Sequence, residues 1–414
     1  MKISRRSAGI AVCAGWFGAT FPCGRADDTL DIRLRKPGRI EGVSKADLPT
    51  PALLLDLDIF ERNVMTMAKH ASAHGKRMRP HAKTHKCVEI ARRQCEAGAV
   101  GVCVATVPEA VVMSEGGLNG ILLCSPIATP SKADRIAVLG RDGRDVLVAV
   151  DHRQQVEMYA RAAAKAGSKL RVLVDLDVGD HRTGIEPGEP AVKLAEAVMQ
   201  SKHLVLCGLQ AYSGGSSHVI GFTQRRERSQ KALATAAETR DRFRRSGLPS
   251  EILSGASTGT YNIDTELAEM TELQAGSYVA MDVDYRKVGG RDGDVFDDFG
   301  AALTVLATVV SANHKSFVTI DAGFKAFATD RPFGPETKGL KGVHYTFRGD
   351  EFGTLSWESD TPPVQLGDRL ELLAPHCDPT VNLYDRIYAC RGEQVEAVWS
   401  VMDRLRTDKE ANRS

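Results

Sequence analysis

The sequence predicts an α/β protein in which a (β/α)8 barrel is joined to a smaller, mostly β domain. Two observations carry that prediction. Up to about residue 290, short apolar runs alternate with amphipathic stretches of ten or more residues, the pattern of parallel strands linked by helical crossovers. After about Gly290 the texture changes to brief β-rich runs cut by Gly, Pro and Asp. The expected division is residues 1–26 as an export signal, 48–290 as the barrel, and 27–47 with 291–414 as the β-rich domain.

The N-terminus reads as an address. Ser4-Arg5-Arg6 precedes a mostly apolar run over residues 8–21, and Gly24-Arg25-Ala26 places small residues where a signal peptidase reads, so cleavage is expected after Ala26. The run is too short to span a bilayer comfortably, and no membrane segment is expected in the mature form. The paired arginines point to the twin-arginine route and a periplasmic protein. Ala8 and Gly9 stand where larger apolar residues are usual, which leaves an ordinary secretory signal or a helical extension as alternatives. Of the nine cysteines, Cys13 and Cys23 would leave with the signal; the rest form no CxxC pair and sit in apolar contexts, as buried small hydrophobes do. Formal net charge is +1, from 54 basic and 53 acidic residues without a long basic run, which argues against a nucleic-acid partner.

Taken in order, residues 51–57 (PALLLDL) read as a buried strand opening the barrel. Residues 57–76 carry Ile59, Val64, Met67 and Ala68 at helical spacing. Residues 99–105 (AVGVCVA), 120–125, 145–150, 170–176 and 204–210 continue the strand series. Helices are expected between them at 108–114, 154–166 and, after the last, 222–245. Beyond residue 290 the strand runs are 302–312, 316–321, 343–347, 369–373 and 395–401, and residues 31–40 are expected to contribute a strand to the same domain.

Four stretches carry chemistry. Arg79-Pro80-His81-Ala82-Lys83-Thr84-His85-Lys86 holds one lysine between histidines; shielded on a barrel strand, Lys83 would have a lowered pKa and act as an amine nucleophile or hold an aldehyde. The alternative is a solvated basic loop. Residues 175–184 (DLDVGDHRTG) follow a buried strand and put polar groups where barrel enzymes work. Residues 257–260 (STGT) and Gly276-Ser277 are small, hydroxyl-rich turns whose backbone N–H groups can cradle a phosphate, or simply turns. In Pro375-His376-Cys377-Asp378-Pro379-Thr380, read as extended, His376 and Asp378 fall on one face and can hold one divalent ion. A turn around Asp-Pro with an incidental histidine is the alternative.

Together RPHAKTHK, DLDVGDHRTG, GLQAY, STGTY, GSY and PHCDPT occur in the order and approximate spacing of D-threonine aldolases and their D-serine dehydratase relatives, which the chain resembles from about Leu48 to Val401. The resemblance implies an alanine-racemase-like barrel, pyridoxal 5'-phosphate, a divalent metal and a homodimer. Lys83 looks like the lysine that forms the Schiff base with the cofactor. Arg182 is similar to the arginine near the cofactor ring, and Tyr212 to the tyrosine beside cofactor and substrate. By the same likeness Thr258, Gly259, Thr260 and Ser277 would hold the phosphate with Tyr278 close by, and His376 and Asp378 would hold the metal. Relatives that dehydrate usually carry cysteine at the second ligand position. Asp378, with Cys377 one residue early, makes a harder oxygen site that favours Mn, Mg or Ca over Zn.

The activity implied is cleavage of D-β-hydroxy-α-amino acids, D-threonine-like, to glycine and an aldehyde. The alternatives are dehydration of D-serine or D-threo-3-hydroxyaspartate to a 2-oxo acid and ammonia and, more remotely, a non-catalytic pyridoxal-phosphate protein. His85 or a metal-bound water is the candidate base, while His81, His181 and His218 read as structural histidines. The segment Asp350-Glu351-Phe352-Gly353 has Phe352 where many relatives have histidine, which leaves the substrate preference open.

Overall fold

The computed structural model describes residues 25–359 and 362–402. The export signal expected over residues 1–26 lies outside the described residues except for Arg25 and Ala26, which open the helix Arg25–Arg35.

Eight parallel strands form the barrel: Arg77–Met78, Val102–Val104, Ile121–Leu123, Val146–Val150, Leu170–Asp175, Leu204–Ala211, Ile252–Gly255 and Glu272–Leu273. The last pairs back onto the first, Leu273 opposite Met78. Between the first and second strands the ring closes through a parallel bridge from His81 to Cys103 and the bonds Val100 N–H to Met78 O and Cys103 N–H to Pro80 O, each 2.8 Å. Residues alternate across each strand: Cys103, Leu122, Leu147, Leu173 and Ile252 fill the interior, while Val102, Val104, Ile121 and Val148 join the core under the surrounding helices. Those helices follow the amphipathic periods closely, at Val107–Glu115, Arg153–Ala166 and Phe222–Arg245.

One strand is placed differently from the expectation. Ala52–Asp56 does not open the barrel; it lies in the second sheet, parallel to Arg386–Arg391 and antiparallel to Leu303–Ser311. Both its faces are buried, Leu53 and Leu55 against the main core and Leu54 against Leu34, Leu306 and Tyr388, so its continuous apolar run is that of any doubly covered strand. The barrel's first strand is Arg77–Met78, two residues without an apolar run. The second sheet also takes in Gly38–Arg39, which pairs with Gln394–Ser400, so the stretch before the barrel contributes a strand as expected. Its far end is built from Phe317–Ile320, Gly353–Ser356 and His344–Phe347, with Arg369–Leu373 alongside Leu303–Ser311. Among the described residues no helix is long and apolar enough to cross a membrane.

Candidate active site

Lys83 follows the first barrel strand, on a single turn of 3-10 helix, Ala82–Thr84, at the end of the barrel where the strands terminate. Its Nζ lies 3.1 Å from Asp378 Oδ2, an ion pair that joins the barrel to the β domain. Ser277 Oγ donates to Asp378 Oδ1 at 3.2 Å. The carboxylate, despite its burial, is held well below the usual range by the Lys83 cation and His376. Reciprocally, Asp378 raises Lys83 above its usual value, opposite to the lowering expected from shielding alone.

Lys83 opens into a cavity of about 320 Å³ lined by His81, Cys124, Arg182, Gln210, Tyr212 and Gln274, among others. The Arg182 guanidinium stands 5.3 Å over the Tyr212 ring, giving one flat wall. The floor is a hydrogen-bonded layer: Gln274 Nε2 donates to Gln210 Oε1 at 3.2 Å, Gln210 Nε2 to Asp175 Oδ1 at 2.8 Å, and Thr183 Oγ1 to Asp175 Oδ2 at 3.0 Å. Burial pushes Asp175 up to about 6 against the lowering effect of these two bonds. His81 has both ring nitrogens partnered, Nδ1 accepting from Lys83 N–H at 3.3 Å. Its Nε2 meets Cys124 Sγ at 3.2 Å on the cavity wall, and burial holds the ring neutral.

The loops after three successive strands converge beside this cavity. A Cβ on Gly259 would fall 2.1 Å from Ser217 O, and one on Gly276 would fall 2.7 Å from His81 O, so both glycines are required by close backbone approach. Tyr278 N–H donates to Thr258 Oγ1 at 3.0 Å, tying the 257–260 turn to the 276–278 turn. Arg225, buried in the helix Phe222–Arg245, donates through Nε to Gly259 O at 2.7 Å and anchors the same turn from behind.

Two expected residues stand elsewhere. The Tyr278 side chain points into the core, where its hydroxyl accepts from Gln94 Nε2 at 3.0 Å and its ring packs on Phe299, so only its backbone reaches the turn. His85 is enclosed behind Lys83: its Nδ1 accepts from Cys87 N–H at 3.0 Å, burial lowers it to about 4, and it does not line the cavity, which argues against a base. His376 and Asp378 also come together by a different route. Cys377–Val381 is a short helix with His376 as its extended N-cap, so the same-face argument for a strand does not apply. Asp-Pro after a cap residue starts the helix, since proline is well tolerated in a first turn. Of the other histidines, His181 Nδ1 sits 2.7 Å from Asp177 Oδ2 and His218 Nδ1 2.9 Å from Asp284 Oδ2. Phe352 is exposed beside the hairpin strand Gly353–Ser356.

Residues 55–283 match the alanine racemase N-terminal domain, more than half of the chain, and residues 302–390 match a serine dehydratase domain. The chain belongs to the alanine racemase-like family. Within it, the chain is 35% identical over 368 residues to a 3-hydroxy-D-aspartate aldolase of Paracoccus denitrificans (strain Pd 1222), covering 88% of this chain and 94% of that one. It is 31% identical over 288 residues to a D-threo-3-hydroxyaspartate dehydratase of Delftia sp. (strain HT23), covering 69% and 74%. The crystal structure of D-threonine aldolase from Filomicrobium marinum superposes with a TM-score of 0.84 at 38% identity, covering 89% of this chain and 98% of that one. The named aldolases and dehydratase are all lyases, the class to which this alanine racemase-like chain belongs.

The residues fit the cofactor that alanine racemase-like enzymes imply. An amine at the strand ends, a flat wall of Arg182 and Tyr212, and a neighbouring pair of turns rich in hydroxyls and backbone N–H groups are what an aldehyde, an aromatic ring and a phosphate each require. His376 and Asp378 offer one imidazole and one ionised carboxylate, a donor set that suits a divalent ion completed by water. Among the described residues no cluster of three such side chains is present.

Proposed function

We propose that this protein is a pyridoxal-phosphate- and metal-dependent lyase that cleaves D-β-hydroxy-α-amino acids to glycine and an aldehyde. The observation that carries the reading is the 3.1 Å pair between Lys83 and Asp378, which brings the cofactor-anchoring candidate within reach of the metal-ligand candidate. When Lys83 is engaged by a carbonyl, Asp378 loses its cation, and a divalent ion on Asp378 and His376 would replace that charge. Oxygen from Asp378 favours Mn, Mg or Ca over Zn.

When bound, pyridoxal phosphate supplies an electron sink that weakens the bonds at Cα, and the divalent ion supplies a Lewis acid for the β-hydroxyl. The chain's own residues do the rest. Lys83 delivers its amine at the cavity wall and, once released by the substrate amino group, can hold a proton at Nζ. Arg182 and Tyr212 form the wall that fixes a planar ring, and the Gln274–Gln210–Asp175 layer closes the floor with its hydrogen bonds inside the barrel. Ser277 holds one oxygen of Asp378, leaving the orientation of the carboxylate defined.

Incubation of the purified protein with D-threonine, D-serine and D-threo-3-hydroxyaspartate decides the reaction. Glycine with an aldehyde supports cleavage; a 2-oxo acid with ammonia would establish the dehydratase alternative and overturn it. Turnover of none of them by cofactor- and metal-loaded protein would favour a non-catalytic carrier. We further propose export to the periplasm by the twin-arginine route, on the strength of Arg5-Arg6 and the apolar run that follows, with cell fractionation as the test. A homodimer is proposed from the resemblance, and light scattering on the eluted protein tests it.

A further inference from the structure

We propose that Asp330 is a positioning residue that sets the tautomer and orientation of His376. The proposal rests on the reading that His376 and Asp378 hold a divalent ion. Asp330 lies in the loop after Phe317–Ile320, outside every motif that the sequence singles out. Its Oδ2 is 2.7 Å from His376 Nδ1. A ring nitrogen bonded to a carboxylate carries the proton, so the lone pair stands on Nε2, on the opposite edge of the ring. That is the arrangement in which an outer carboxylate orients a metal-binding imidazole and raises its donor strength.

Asp330 is itself held in place. Arg331 donates through Nη1 to Asp330 Oδ2 at 3.0 Å and forms an ion pair with Asp284, whose Oδ2 lies 2.8 Å from its Nε and 2.9 Å from His218 Nδ1. Asp284 belongs to the short helix Val283–Arg286, capped by Asp282. The same Asp282 accepts Cys377 N–H at 2.8 Å, fixing the backbone immediately after His376. The loop is also pinned to the helix Cys377–Val381, where Ala328 N–H donates to Thr380 Oγ1 at 3.1 Å. Backbone and ring of His376 are thus both tied to one short helix at the barrel mouth, the backbone through Asp282 and the ring through Asp330, Arg331 and Asp284. A surface carboxylate with no task at His376 would need none of these ties.

The test measures Mn2+ affinity, by the electron paramagnetic resonance of free ion, on cofactor-loaded wild type, Asp330→Ala and Asp330→Asn. Alanine removes the acceptor, and affinity should weaken by about ten- to a hundredfold. Asparagine keeps an acceptor oxygen for Nδ1–H while discarding the charge, and should stay within about threefold of wild type. Affinity unchanged in Asp330→Ala overturns the proposal. Equal weakening in both variants also overturns it, because Asp330 would then act as a ligand or as bulk negative charge. A wild type that binds no Mn2+ while retaining its cofactor absorbance removes the metal reading on which the proposal rests. The Asp330 side chain is 42% exposed, so truncation opens no cavity, and equal urea midpoints of the three proteins would confirm that the fold is retained.

Discussion

Replacing Arg225 by Met tests how the turn at residues 257–260 is held. The guanidinium is fully buried and donates to four backbone carbonyls: Gly259 at 2.7 Å, Val219 at 2.9 Å, Val288 at 2.7 Å and Gly289 at 2.7 Å. It contacts the Phe222 and Phe296 rings, so methionine fills much of the same apolar volume. Val288 O keeps a donor in Gly221 N–H at 2.9 Å, so three carbonyls are left without one, at about 1–3 kcal/mol each, or roughly 3–9 in all. Removing a desolvated cation returns several kcal/mol, and the net loss expected is about 3–5 kcal/mol. Desolvation already lowers the Arg225 pKa, which is the same penalty seen from the other side. Urea unfolding of the cofactor-free protein measures the loss, and absorbance titration with pyridoxal phosphate measures the loosened turn. Arg225→Lys should fare little better, since one ammonium cannot serve carbonyls in three directions. A methionine variant within about 1 kcal/mol of wild type, binding cofactor equally well, would show that the turn stands without its anchor and refute the reasoning.

Three further outcomes follow from the site. Asp175, with a folded pKa of about 6 against a usual 3.8, keeps its proton longer folded than unfolded, so stability is lost as pH rises between those values. Asp175→Asn should therefore gain stability over wild type across that window, by up to about 3 kcal/mol at pH 7 and nothing below pH 3, as read by urea midpoints. Asp378→Ala should abolish metal-dependent turnover yet keep the cofactor absorbance; full activity would remove it from the metal site. His85→Asn should leave the pH profile of kcat unchanged, because the ring is enclosed away from the cavity, and a lost basic limb would reinstate it as the base.

What the sequence reveals and hides has physical reasons. Long amphipathic helices announce themselves because one face must be apolar over several turns, as in Arg153–Ala166. The strands Arg77–Met78 and Glu272–Leu273 do not, because they are two residues long and flank a buried ion pair, Arg79 Nε to Glu272 Oε2 at 2.9 Å, that interrupts any apolar pattern. That pair also explains why 79–86 is not a solvated basic loop. Each basic residue of the segment has its own partner: Arg79 has Glu272, His81 has Cys124, Lys83 has Asp378, His85 has the Cys87 amide, and Lys86 has Asn382 Oδ1 at 2.8 Å. Periodicity reports the face a residue presents, and it carries nothing about partners that are distant in the chain. Arg225 and Asp330 were hidden for that reason. Arg225 sits on a helix rich in surface arginines and differs from them only in being buried against backbone carbonyls. Asp330 is an ordinary loop aspartate until folding brings His376 against it. Local motifs therefore locate the groups that meet cofactor and metal, whereas the groups that hold those side chains in register emerge only from the tertiary contacts.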